Sequence, residues 1–408
     1  MSPTVLRLTA ASPVAQPLSA AALKVAPPAA PAAIRQAMRD ALAEPVEFPE
    51  LRYALTPDDQ VAIALEGATP GAEPIAETLA EQLIALGVAG ANIVIVTDDR
   101  HLADRLRPLE ERLSLVVETH DPTDEEQLCF AGLTRSERTL RVNRTLFEAD
   151  LVLPISTEHP GDRATTGPFD GLFPRFFDHD TIDRVARVRA VTGAEARGGD
   201  HAQARRQESD DAGRMLGAAV LVRVVPGRGG AAERIVFGEA NAVWSEARRL
   251  AQSVWRSSMP APAPLVIARF EDDATPPTWG DLSRALALAE QLVASDGAIV
   301  LWTDFDEPIG PGLGRLLEAD GYERVTADLS EQVGDEALFA WRLAQAIDRG
   351  PVFWRSRLAG TLVEDLGATP IASEEELVRL AERYGTCLLL EQPQHVCLVL
   401  DEDAEASS

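Results

Sequence analysis

Two hydrophobic periods alternate along the chain. Gln60-Val-Ala-Ile-Ala-Leu and Asn92-Ile-Val-Ile-Val-Thr are short apolar runs, the pattern of strands buried on both faces. Between them, Ile75 to Leu86 carries apolar residues at three- and four-residue spacing and stops at Gly87, which predicts an amphipathic helix. Strand, helix and strand in this order indicate a parallel sheet, since parallel neighbours need a crossover connection. Ile34 to Leu42 predicts an earlier helix. Leu115-Val-Val-Glu-Thr-His, Thr139-Leu-Arg-Val-Asn and Ala149-Asp-Leu-Val-Leu-Pro-Ile extend the set of strands, with Cys129-Phe-Ala-Gly132-Leu-Thr134 read as a turn.

Farther on, the charge-dense stretch from Thr192 to Asp211 suits either a mobile loop or an exposed helix. Val220 to Val225 and Arg234 to Phe237 predict paired strands across Gly227-Arg-Gly-Gly, followed by a helix from Ala242 to Trp255. Alternate prolines in Met259-Pro-Ala-Pro-Ala-Pro264 favour an extended linker. Beyond it the alternation resumes: a strand at Leu265-Val-Ile-Ala, a helix from Asp281 to Ala294, a strand from Ala298 to Thr303 and a helix from Gly312 to Ala319. The apolar runs Cys387-Leu-Leu-Leu and His395-Val-Cys-Leu-Val-Leu suit strands of either sheet. The organisation expected is a low-structure Ala/Pro-rich leader over 1–30, an α/β domain over 31–258, a linker over 259–264, a second α/β domain over 265–400 and an acidic tail over 401–408. The fold class is α/β, two Rossmann-like domains with a cleft between them.

Composition narrows the chemistry. A chain of 408 residues exceeds what one core usually serves, which agrees with two domains. Its formal net charge of -27 repels nucleic acid and anionic membrane surfaces, so neither is expected as a partner; a small molecule is. No apolar run is long enough to span a bilayer. Cys129, Cys387 and Cys397 show no paired spacing, in keeping with a reducing, cytoplasmic setting. The six histidines show no ligand-type pairing, and no metal site is expected. Lys24 is the chain's one lysine and lies in the leader, which argues against a Schiff base, a P-loop or a lysine-held cofactor.

Ligands of parallel α/β sheets collect beyond the carboxyl ends of the strands. There the sequence places Glu66-Gly-Ala-Thr-Pro70 and Thr97-Asp-Asp-Arg-His101. The second loop suits polar-ligand binding or proton transfer, and equally a helix cap from Thr97 or Asp98. His120-Asp121 suits a site or a capped turn. The richest loop, from Ser156 to Pro174, gathers Glu158, His159, Asp162, Arg163 and Asp170 between glycines. It reads equally as a site or a solvated loop.

Taken in order, these loops resemble the nickel-pincer lactate racemase family over about residues 35–400, carried by Glu66-Gly-Ala-Thr-Pro70, Asp98-Asp-Arg100, His120-Asp121, Gly132-Leu-Thr134, Ala149-Asp-Leu151 and Glu158 to Pro174. The resemblance implies a lactate-racemase-like fold of bacterial type and an isomerase-like site for a 2-hydroxy acid. It assigns catalytic positions to Asp99 and His159, and ligand-binding positions to Glu66, Thr69, Arg100, His120, Asp162, Arg163 and Asp170. The departures fall on the chemistry. Thr69 stands for the family's carboxylate-binding arginine, Asp99 for its first catalytic histidine, Asp170 for the lysine that tethers the nickel-pincer nucleotide, and Ala186 near its nickel-ligand histidine. The expectation is a degenerate site that binds a small anionic or hydroxy-acid ligand in the cleft, with no cofactor. The alternative is a racemase, another isomerase or a lyase using Asp99 and His159 as acid and base.

Overall fold

A computed structural model describes residues 4–9, 12–17, 30–158, 167–185, 200–227, 232–259, 261–270, 277–318, 334–391, 393 and 397–400. The chain opens with β1 (Thr4–Thr9) and β2 (Ser12–Pro17), then α1 (Pro31–Ala43), which starts on a proline whose missing N–H a helix does not need there. The first domain follows with β3 (Val61–Leu65), α2 (Ala72–Ala85), β4 (Ile93–Thr97), α3 (Arg100–Leu106), α4 (Pro108–Leu113) and β5 (Val116–Thr119). A hairpin of β6 (Leu128–Leu133) and β7 (Thr139–Asn143) leads through α5 (Arg144–Glu148) to β8 (Leu151–Thr157). The domain ends with α6 (Asp200–Met215), β9 (Val220–Pro226), β10 (Ala232–Glu239) and α7 (Ala240–Trp255).

Six strands form the first sheet in the order β10-β9-β8-β3-β4-β5, parallel except for β10. All five residues of the central β3 are buried, and its odd and even positions feed different cores. Val61, Ile63 and Leu65 face α2, while Ala62 and Ala64 face the phenylalanines of 169–177. Gly71 has φ of +69°, and a Cβ there would press on Ile34, so a glycine lets α1 approach α2.

The second domain runs through β11 (Arg256–Met259), β12 (Ala263–Arg269), α8 (Trp279–Leu292), β13 (Val293–Trp302), α9 (Pro311–Glu318), α10 (Asp335–Arg349), β14 (Val352–Arg355), α11 (Gly360–Asp365), β15 (Thr369–Pro370), α12 (Glu374–Tyr384), β16 (Thr386–Glu391) and β17 (Cys397–Leu400). Its seven-stranded sheet has the order β15-β14-β13-β12-β16-β1-β2.

Several expectations change. The leader is not structureless throughout: β1 pairs in parallel with β16 and β2 closes the edge antiparallel, so the first strands belong to the second sheet. Cys129 to Leu133, expected as a turn, is most of strand β6, paired with β7. The proline-rich linker region adjoins β11, which pairs with β17, and β12, which begins at Ala263. Of the charge-dense stretch, 200–215 is helical while 192–199 lies outside the described residues, as does the tail over 401–408. β16 completes the second sheet, between β12 and β1. No helix among the described residues is long and apolar enough to cross a membrane.

Candidate functional site

The carboxyl ends of β3, β4 and β8 meet at a clamp of three charged side chains. Glu66, directly after β3, is 2% exposed. Its Oε2 accepts the Thr157 N–H at 2.8 Å, and its Oε1 accepts Nη2–H of Arg175 at 2.8 Å. The other arm of Arg175 donates from Nη1 to Asp98 Oδ2 at 2.5 Å, and Asp98 Oδ1 accepts the Gly67 N–H at 2.8 Å. Burial opposes the charge on Arg175. The carboxylates of Asp98 and Glu66, with the field of Asp335, outweigh it and raise the guanidinium above its ordinary pKa. Asp335 opens α10 of the second domain, so both domains act on this one cation.

The loops interlock because Gly67 has no side chain: a Cβ there would fall on the Cβ of Asp99. Thr69 is buried, with its hydroxyl accepting from that of Thr157 at 3.4 Å. Asp99 is the N-cap of α3, its Oδ1 accepting the N–H groups of His101 and Leu102. That is the capping alternative left open for this loop, realised one residue beyond Asp98. Arg100 is exposed at the first turn of α3.

His120 makes no side-chain hydrogen bond to the clamp among the described residues; it is buried against Phe176, with Nε2 3.0 Å from the carbonyl of Phe177. A carbonyl only accepts, so Nε2 carries the proton and the neutral ring's Nδ1 is left without a partner among the described residues. Burial lowers its pKa, against the Phe177 hydrogen bond. His120 therefore fastens the 167–177 segment to the end of β5.

Beside the end of β8, apart from these hydrogen bonds, lie Glu158, Arg223 and Asp170. Arg223, 2% exposed, donates from Nη1 to the Thr157 carbonyl at 3.3 Å and from Nη2 to the carbonyls of Gly167 and Pro168 at 3.1 and 2.7 Å. It ties the 167–168 backbone to β8. Glu158 Oε2 lies 3.7 Å from Arg223 Nε. Burial pushes the Glu158 carboxyl up to about 7, against Arg223 and Arg248 and with help from Asp170. His159, Asp162 and Arg163 lie outside the described residues.

Glu66, Thr69 and Asp99 thus converge with Asp98, while Asp170 joins Glu158, and Arg100 and His120 stand outside both groups. Sequence reasoning missed Arg175 and Arg223. Each had a signal: Arg223 is a lone charge inside Val220 to Val225, and Arg175 interrupts the apolar run from Leu172 to Phe177.

No family model and no curated protein matches the chain. Among solved structures, the lactate racemase apoprotein of Thermoanaerobacterium thermosaccharolyticum is similar with a TM-score of 0.72 at 15% identity, over 98% of this chain and 100% of that one. A crystal structure of a Thermotoga maritima protein gives a TM-score of 0.63 at 11% identity, over 93% of this chain and 100% of that one. At such identities the likeness speaks for the backbone, and on that ground the chain has a lactate-racemase-like α/β fold.

Proposed function

We propose that the chain binds a small hydroxy-acid-type ligand at the carboxyl ends of β3, β4 and β8, without nickel-pincer catalysis. The observation that carries this reading is the Arg175 guanidinium, fixed between Glu66 and Asp98 with 35% of its side chain open. A pre-oriented guanidinium on a partly exposed side chain suits a ligand carboxylate, and the neighbouring Asp98 carboxylate suits a ligand hydroxyl. In this reading Arg175, from a different segment, does what Thr69 lacks the charge to do. Asp170, at the position that the resemblance gives to the tethering lysine, supports the cofactor-free form, because a carboxylate cannot form an amine's link and here faces the Glu158 carboxyl. The second reading, an isomerase or lyase, draws support from Glu158 poised near neutrality. Its proposed Asp99 partner is occupied with the backbone of α3.

Titration calorimetry with D-lactate, L-lactate and glycolate tests the proposal on the wild type, Arg175→Gln and Asp98→Asn. The expected result is saturable binding, weakened at least tenfold in Arg175→Gln, with no exchange of the ligand's α-proton into deuterated solvent. Proton exchange, or nickel near one per chain retained through dialysis, would overturn it.

A further inference from the structure

β8 ends with Thr157 turned towards α2 and Glu158 turned towards α7, since neighbouring strand residues face opposite sides. The α7 side holds a group of cations that the clamp does not use. Trp244 of α7 carries two guanidiniums over its ring: Arg206 of α6, with Cζ 4.2 Å from the centroid, and Arg248, at 5.0 Å. Among the described residues neither has a hydrogen-bonded carboxylate. Arg206 Nε is 3.8 Å from Asp210, and Arg248 acts on Glu158 through its field. Arg223 Nε and Trp244 Nε1 are buried and have no hydrogen-bond partner among the described residues. Gly167 lies between these groups: its carbonyl accepts from Arg223, and a Cβ on it would meet Arg206 Cγ and Asp170 Oδ1, both at 3.9 Å.

We propose that Arg206, Arg223, Arg248 and Trp244 form an oxyanion site for the carboxylate or tetrahedral oxyanion group of a small molecule, separate from the Glu66–Asp98–Arg175 clamp. Arg206 and Arg248 share the Trp244 ring, Arg223 adjoins them through Gly167, and buried N–H groups without acceptors among the described residues are costly; an oxyanion supplies both counter-charge and acceptors. Glu158 is the carboxyl able to make room electrostatically. The charges facing it are Arg223 from β9, Arg248 from α7 and Asp170 from the segment after Gly167. A bound anion favours its protonated form, so binding takes up a proton and weakens as pH rises through about 7. The inference does not rest on the hydroxy-acid reading.

The full chain is titrated with sulfate and, separately, acetate, probes that do not themselves titrate near neutrality. Calorimetry at pH 7.5 in two buffers of different ionisation enthalpy reads the proton, and tryptophan fluorescence reads Trp244. Binding of either probe is expected, with the preferred one showing whether the site takes tetrahedral or planar anions. Arg206→Gln and Arg248→Gln should each weaken it at least tenfold while retaining the wild-type melting profile. Trp244→Phe should remove the fluorescence response. Glu158→Gln should bind without proton uptake and without the pH dependence. No binding of either probe, affinity untouched in both arginine variants, or proton uptake persisting in Glu158→Gln rejects the site.

Discussion

Glu158 is a carboxyl deprived of water, with the guanidiniums of Arg223 and Arg248 only partly offsetting that, and its protonation is therefore linked to folding. Its folded pKa, about 7, lies above the ordinary 4.5, so between those values the folded chain binds more protons than the unfolded one. The associated stability is complete below about pH 4.5 and is lost as pH rises through about 7, to a limit of about 3 kcal/mol at 1.36 kcal/mol per pH unit. Glu158→Gln should accordingly gain on the wild type between pH 5 and pH 8 in urea unfolding; a constant difference across that range would remove the linkage. At this scale the sequence was only partly legible. Glu66 and Thr69 stood out because they follow a strongly patterned strand, whereas the loop from Thr97 to His101 offered readings that pattern cannot separate, a cap from Thr97 or Asp98 or an acid at Asp99. Arg175 was hidden because its partners, Glu66 and Asp98, are remote in sequence, and a buried ion pair leaves no local period.

Elements buried on both faces were the most legible. β3 and β4, and the helices that cover them, fall close to the apolar runs that predict them. β6 escaped because it belongs to a two-stranded hairpin outside the main sheets, where Phe130 and Leu133 stay 59% and 54% exposed and the register shifts before Gly132. A strand that buries little carries little patterning. The interlocked loops after β3 and β4 give a test at this scale. Gly67→Ala puts a Cβ onto Asp99 and must push the two strand ends apart, at a cost of about 1–3 kcal/mol. Because Gly67 also donates to Asp98, the same substitution should weaken hydroxy-acid binding more than it lowers the melting temperature. Wild-type stability and affinity together in Gly67→Ala would mean that the loops are not packed as described.

For the molecule as a whole, alternating strands and helices announced two α/β domains, but not which sheet each end of the chain would join. β1 has a weak pattern and its register partner, β16, lies at the far end of the sequence, so no local signal connects them. Removing residues 1–17 strips β16 of one of its two neighbours and should lower the second domain's transition in calorimetry, leaving that of the first domain in place. A single unchanged profile would speak against this pairing. The same pairing sets an order of events during synthesis. β1 leaves the ribosome well before the strand it must lie beside, and at about 5–20 residues per second the delay is on the order of 20–80 s. The first sheet has all its strands available well before then, while the second waits for β16 to join β1 and β12. Through that interval β1 lacks the parallel neighbour it has in the folded sheet, and its unpaired edge is open to chaperones or to another nascent chain.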